Sequence, residues 1–223
     1  MAQNSLEQAY DILSRGGILK SEYQDMLAEH ANPIDLAMAF NHLHAAQLLS
    51  NITQNLVFDQ EYPYQMADAI KDLQVLNLWF PAMQNAIVSH AYPLSLTLAF
   101  IRLEQIGILD PQHFRLLACA ENPFDLAEAL VCLAQYGLLN DTYRALVSTH
   151  VKPDFLALAL KDLSQANLLS NPDILRTVAG HPLPNPLTWA LISLNDAGLL
   201  NRRSSMAMAV HGKPHYLALA MVN

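Results

Sequence analysis

The chain has 223 residues, 52% of them hydrophobic and 14% charged, with a mean hydropathy of +0.17 and a formal net charge of −8. So acidic a chain, with a pI near 5.5, argues against a surface built to displace counterions from a nucleic-acid backbone. No apolar run approaches the roughly 18 residues of a membrane-spanning helix, and Met1 to Glu7 lack the basic and apolar regions of a Sec signal, so no membrane span and a cytosolic chain are expected.

The charge is uneven. Residues 1–70 hold nine acidic side chains against Arg15 and Lys20, a net −7, which leaves −1 for the rest. A partner steered by charge would therefore be basic and would meet the N-terminal third. Cys119 and Cys132 have neither disulfide-framework nor metal-ligand spacing and read as reduced thiols.

Taken in order, the chain repeats. Pro33, Pro63, Pro93, Pro123 and Pro153 stand thirty residues apart, Pro184 follows after thirty-one and Pro214 after thirty more. A fixed period of this size marks a repeat array, each unit too small to bury its own apolar face and completed by its neighbours. One repeat domain over residues 1–223 is expected, with units starting near residues 3, 33, 63, 93, 123, 153 and 184. An eighth begins at Pro214 and stops at Asn223 before its expected leucine, which suggests a polypeptide cut from something longer.

Counting from the proline, or from Gln3 in the first unit, position +6 is always alanine, from Ala9 and Ala39 to Ala190 and Ala220. Position +10 is leucine from Leu13 and Leu43 to Leu194. Offsets of three and four put these residues on one face of a first helix of about thirteen residues. It should stop at +14, where Gly17, Gly107, Gly137, Gly198, Asn77 and Asn167 suit a left-handed C-cap and Gln47 is the exception. Two large apolar residues follow, then a cap residue such as Ser50, Asp110, Asn140, Ser170 or Asn201, and a shorter second helix of nine or ten residues. That helix runs into the next proline, at N1 of the next first helix.

The fold expected is all-α, a right-handed α-solenoid of tandem antiparallel helical hairpins similar to TPR and Sel1 superhelices, its hand taken by analogy. A more specific resemblance lies in His30-Ala31-Asn32-Pro33, in Glu121 to Leu130 (ENPFDLAEAL), and in Ala197-Gly198-Leu199-Leu200-Asn201. This pattern resembles short helical repeats of effector proteins from intracellular gamma-proteobacterial pathogens. The resemblance spans nearly the whole chain and implies a protein delivered into a host cytosol that acts by binding. It carries over no catalytic residue. The chain departs from it at Leu78-Trp79-Phe80, which replaces Leu-Leu and a cap.

Residues that could do chemistry are few. His30, His90, His150, His181 and His211 stand three before the anchor proline, one per repeat, a period too long for one metal site. At the end of each second helix an imidazole can bond free carbonyls, and an imidazolium would suit the helix dipole. His42 and His44 lie two apart and face different ways on their helix. No nucleophile elbow or phosphate loop is present. The expectation is a non-catalytic protein-binding scaffold without cofactor or metal. The alternative is a regulator or targeting module of an enzyme domain outside this sequence.

Two surfaces could bind. At the loop edge, Phe58, Tyr62, Tyr64 and Tyr92 should fall near one another, and exposed tyrosine is a frequent binding anchor. Along the first helices, positions +5 and +8 supply Leu98, Ile101, Val131, Leu158, Trp189 and Ile192, which would line a groove for a partner peptide unless they pack on the next hairpin. Self-association through the C-terminal end is also possible for an uncapped array.

Overall fold

The computed structural model describes Ala2 to Val222, with side chains from Asn4 onward. Among the described residues there are fifteen α-helices and no strand, and neighbouring helices touch in a repeating pattern. The contacts gather into two compact units, one up to Gln105 and the other from Ile106.

The first unit holds α1 (Ala2–Arg15), α2 (Ser21–Glu29), α3 (Pro33–Ala45), α4 (Asn51–Phe58), α5 (Pro63–Val75), α6 (Pro81–Ser89) and α7 (Pro93–Gln105). Its odd-numbered helices lie side by side, α1 on α3, α3 on α5 and α5 on α7. The invariant rows explain why. Leu13, Leu43, Leu73 and Leu103 have no exposed surface, and Ala9, Ala39 and Ala99 are equally closed off. A methyl group at each crossing lets the next helix approach, and the leucine fills the layer beneath. The even helices are wedged below, α2 against α1 and α3, and α4 against α3 and α5.

The second unit repeats the plan with α8 (Pro111–Ala118), α9 (Pro123–Gln135), α10 (Asp141–Thr149), α11 (Pro153–Gln165), α12 (Pro172–Ala179), α13 (Pro184–Asp196), α14 (Arg202–Val210) and α15 (Pro214–Val222). Here α9, α11, α13 and α15 form the close row, with Leu133, Leu163 and Leu194 buried completely. Among the even helices α12 and α14 touch over a short stretch.

Local chemistry sets the joints. From α3 on, each first helix begins on its proline, whose missing N–H has no helical partner to lose. The residue before is turned to ψ near 75°, as at Asn32, Tyr62 and Lys152, instead of fully extended. An N-cap side chain so turned reaches the first turn poorly: Asn32 accepts the Asp35 N–H only at 3.5 Å, and Asn122 makes no cap bond. A neighbouring repeat supplies the acceptor where Asp35 Oδ2 takes the backbone N–H of Tyr64 at 3.0 Å, at the start of α5.

The first helices end in left-handed turns at +14, and Gln47 is no exception, with φ of 59° beside 58° at Asn77 and Asn167. Leu48 N–H bonds the Leu43 carbonyl at 2.8 Å and Gln47 N–H that of His44 at 2.9 Å, the paired bonds of a Schellman turn. These two bonds close the turn although a side chain disfavours the left-handed backbone at Gln47. The cap of α12 is Asn171 and not Ser170, with Pro172 at N1, which locates the extra residue of the thirty-one-residue step in the loop before α12.

Candidate functional site

Two of the periodic histidines, His30 and His150, are staples between repeats. A backbone N–H can only donate, so the ring Nδ1 that faces the N–H two residues on must accept: Asn32 to His30 at 3.0 Å, Tyr92 to His90 at 3.0 Å, Lys152 to His150 at 3.0 Å. The neutral ring then carries its proton on Nε2, which can donate to a carbonyl. His30 Nε2 lies 3.1 Å from the Gln60 carbonyl, and His150 Nε2 lies 3.1 Å from the His181 carbonyl. Each acceptor is the equivalent residue one repeat later. The other tautomer could use the Lys152 carbonyl, 2.9 Å from His150 Nδ1, but would turn Nε2 as an acceptor toward the His181 carbonyl and Nδ1–H toward an N–H. The ring of His30 and of His150 therefore reaches a carbonyl of the next repeat and not the free carbonyls of its own helix end.

His42 sits elsewhere, on the first-helix face, its ring 5.2 Å from Tyr64 and its Nε2 3.2 Å from Asp68 Oδ1 but off the line of a hydrogen bond. Among the described residues no three His, Cys, Asp or Glu side chains converge as a metal set. Burial pushes the Cys132 thiol up, aided by Asp162 and Glu128 and opposed by Lys161, which leaves it a poor nucleophile.

The loop-edge aromatics are placed one by one. Phe58 packs its ring 5.6 Å from His30, Tyr64 turns to His42, and Tyr92 lies 6.3 Å from His90. Tyr62 is exposed, and a hydrogen bond to the Glu61 carboxylate holds its hydroxyl above its ordinary value of 10.0. Their ring partners are thus histidines of different repeats.

The first-helix stripe divides. Ile101, at 6% exposure, and Val131, at 2%, are buried, and so cannot line an open groove; Ile192 is half-buried. From α3 to α13 the +8 side chain is buried or half-buried, whereas the apolar residues at +5 are exposed. Leu98 in the first unit is exposed, and in the second unit Leu158, Trp189 and Leu219 stand at +5 of three adjacent helices with 39%, 49% and 41% exposure.

No protein-family model matches the chain, and no curated protein is significantly similar to it in sequence.

Exposed apolar residues stand on each of the adjacent helices α11, α13 and α15. Trp189 Nε1 donates to Asp162 Oδ2 at 3.2 Å, and Asp162 Oδ1 lies 3.0 Å from Lys161 Nζ, the carboxylate holding the ammonium above its ordinary 10.5. The Trp189 and His215 rings meet in a T-shaped contact with centroids 6.2 Å apart, and the His215 ring meets Tyr216 at 6.1 Å. Phe155, with the Lys152 ammonium 5.3 Å over its ring, lies one turn before Leu158. The result is a half-exposed tryptophan tied by its N–H, with Leu158 and Leu219 exposed at the same position of the helices on either side. Sequence reasoning found Trp189 and Leu158 but missed Phe155, Asp162, His215, Tyr216 and Leu219. Position +2, which holds Phe155 and Tyr216, was the signal available.

Proposed function

We propose that the chain is a non-catalytic protein-interaction scaffold whose contact surface is the exposed face of α11, α13 and α15. One observation carries this reading. Trp189 leaves half its surface in water while its N–H is tied to Asp162, so it is both exposed and held in place. A large aromatic fixed before binding loses little entropy when a partner covers it, which is why such residues dominate interface energetics. Leu158 and Leu219 extend the patch one helix to either side.

The finer architecture belongs to the same proposal: each unit is a stretch of right-handed hairpin superhelix of the TPR and Sel1 kind, presenting repeated positions at a regular spacing. The effector resemblance adds that the partner is a host protein met in the cytosol. No helix among the described residues is long and apolar enough to cross a membrane.

The test is an affinity capture from eukaryotic lysate with the full chain as bait, beside a Trp189→Ser, Leu219→Ser variant and a Tyr62→Ala, Tyr64→Ala, Tyr92→Ala variant. Proteins held by wild type and by the tyrosine variant, and lost from the Trp189 variant, are expected, since truncating a hot-spot aromatic costs about 2 kcal/mol or more. Retention unaltered by the Trp189 variant would refute the assignment of this face.

A further inference from the structure

An open groove of about 750 Å³ lies in the first unit between α4 and α6. Its floor is apolar, with Leu56 buried and Ile52 and Val88 half-covered above it. Its walls carry Asn55 on α4 and Asn85 on α6, both exposed and thirty residues apart, so these two repeats present a carboxamide at the same height. Asp59 stands at one end, and no lysine or arginine lines it.

The amides limit what can lie there. A helical peptide has spent its backbone groups on itself, whereas an extended strand offers N–H and C=O groups along both edges, each matched by a carboxamide that donates and accepts. Alternate side chains of such a strand point one way, toward the apolar floor, and the rest point to solvent. Eight residues of α4 at 1.5 Å each give a groove about 12 Å long, enough for about four extended residues at 3.3 Å. Charge chooses the sign of the occupant. The described part of this unit holds eleven acidic side chains against four basic ones. The corresponding groove between α12 and α14 is lined by Arg176 and Arg202 beside Asp173, which sets it apart.

We propose that the α4–α6 groove binds an extended, basic peptide segment of a protein partner, with Asn55 and Asn85 on its two backbone edges and Asp59 facing a lysine or arginine. This site is separate from the Trp189 face, and either can stand without the other.

The experiment selects peptides from a random decapeptide library displayed on phage against the full chain, then titrates labelled synthetic copies by fluorescence anisotropy. Enriched peptides should carry lysine or arginine beside alternating apolar residues. Their Kd should rise about tenfold or more in an Asn55→Ala, Asn85→Ala variant whose circular dichroism is unaltered, and by a similar factor when one central peptide amide is N-methylated. Asp59→Asn should weaken binding and flatten its salt dependence, and Trp189→Ser should leave it unchanged. Absence of enrichment, enrichment of acidic peptides, or equal affinity of helix-stapled copies would overturn the proposal. Loss in Trp189→Ser with retention in the asparagine variant would also overturn it, while supporting the other face. Dimerisation seen by light scattering and abolished by the asparagine variant would replace the peptide with a second copy of the chain, and refute it equally.

Discussion

Replacing His150 by alanine removes one staple between repeats of the second unit. The ring accepts the Lys152 N–H at 3.0 Å and meets the His181 carbonyl at 3.1 Å, and both bonds vanish together. At a net 0.5–1.5 kcal/mol per hydrogen bond the loss should be about 1–3 kcal/mol, near the lower end because the ring is only partly covered. Urea unfolding of the full chain followed by circular dichroism reads the midpoint. Amide exchange at Lys152 reads the local effect, and should accelerate even where the array does not unfold as one unit. The converse is Ala120→His. Ala120 occupies the same position one repeat earlier, beside an open space of about 160 Å³ that also borders Asn122 and His150. A histidine there should bond the Asn122 N–H and the His150 carbonyl and raise the midpoint by a comparable amount. Nitrogen-15 spectra of His150 should show a bare Nδ1 and a protonated Nε2. A protonated Nδ1, or an unaltered midpoint and Lys152 exchange in His150→Ala, would refute the staple.

Other outcomes follow from packing and backbone. Leu103→Ala should cost about 2–5 kcal/mol and Ala99→Leu about 1–3 kcal/mol by urea titration, since both side chains are fully buried, the first leaving a cavity and the second overfilling a crossing. Gln47→Gly should stabilise by about 0.5–1 kcal/mol, because relief of a left-handed backbone at φ of 59° outweighs the added freedom of the unfolded chain; a lower midpoint would refute this. With maleimide near neutral pH, exposed Cys119 should react first. The Cys132 rate should climb as pH rises toward its elevated thiol value, and equal rates near neutral pH would contradict the burial that elevates it.

Much of the fold is legible in the sequence because its determinants are local. Proline at N1 starts a helix whatever surrounds it, alanine and leucine four residues apart share a face, and the turn at +14 needs a left-handed residue, a demand strong enough to carry Gln47 with it. The slipped cap at Asn171 shows the limit, since the thirty-one-residue step does not say where its extra residue goes, and only the loop geometry put Pro172 at N1.

The candidate site was legible in half. That the +5 and +8 side chains form a stripe follows from helical angle alone. Which of them reaches water depends on a helix thirty residues away, and that separated buried Ile101 and Val131 from exposed Leu98, Leu158 and Trp189. The same holds for the histidines. The sequence by itself determined the repeat, the starts of the first helices and which rows share a face, all fixed by local backbone preferences and helical spacing. Tertiary structure alone decided that the second ring nitrogen reaches the next repeat, that Asp162 anchors the indole, and that α4 and α6 leave a groove, because each depends on the distance between side chains a full period apart.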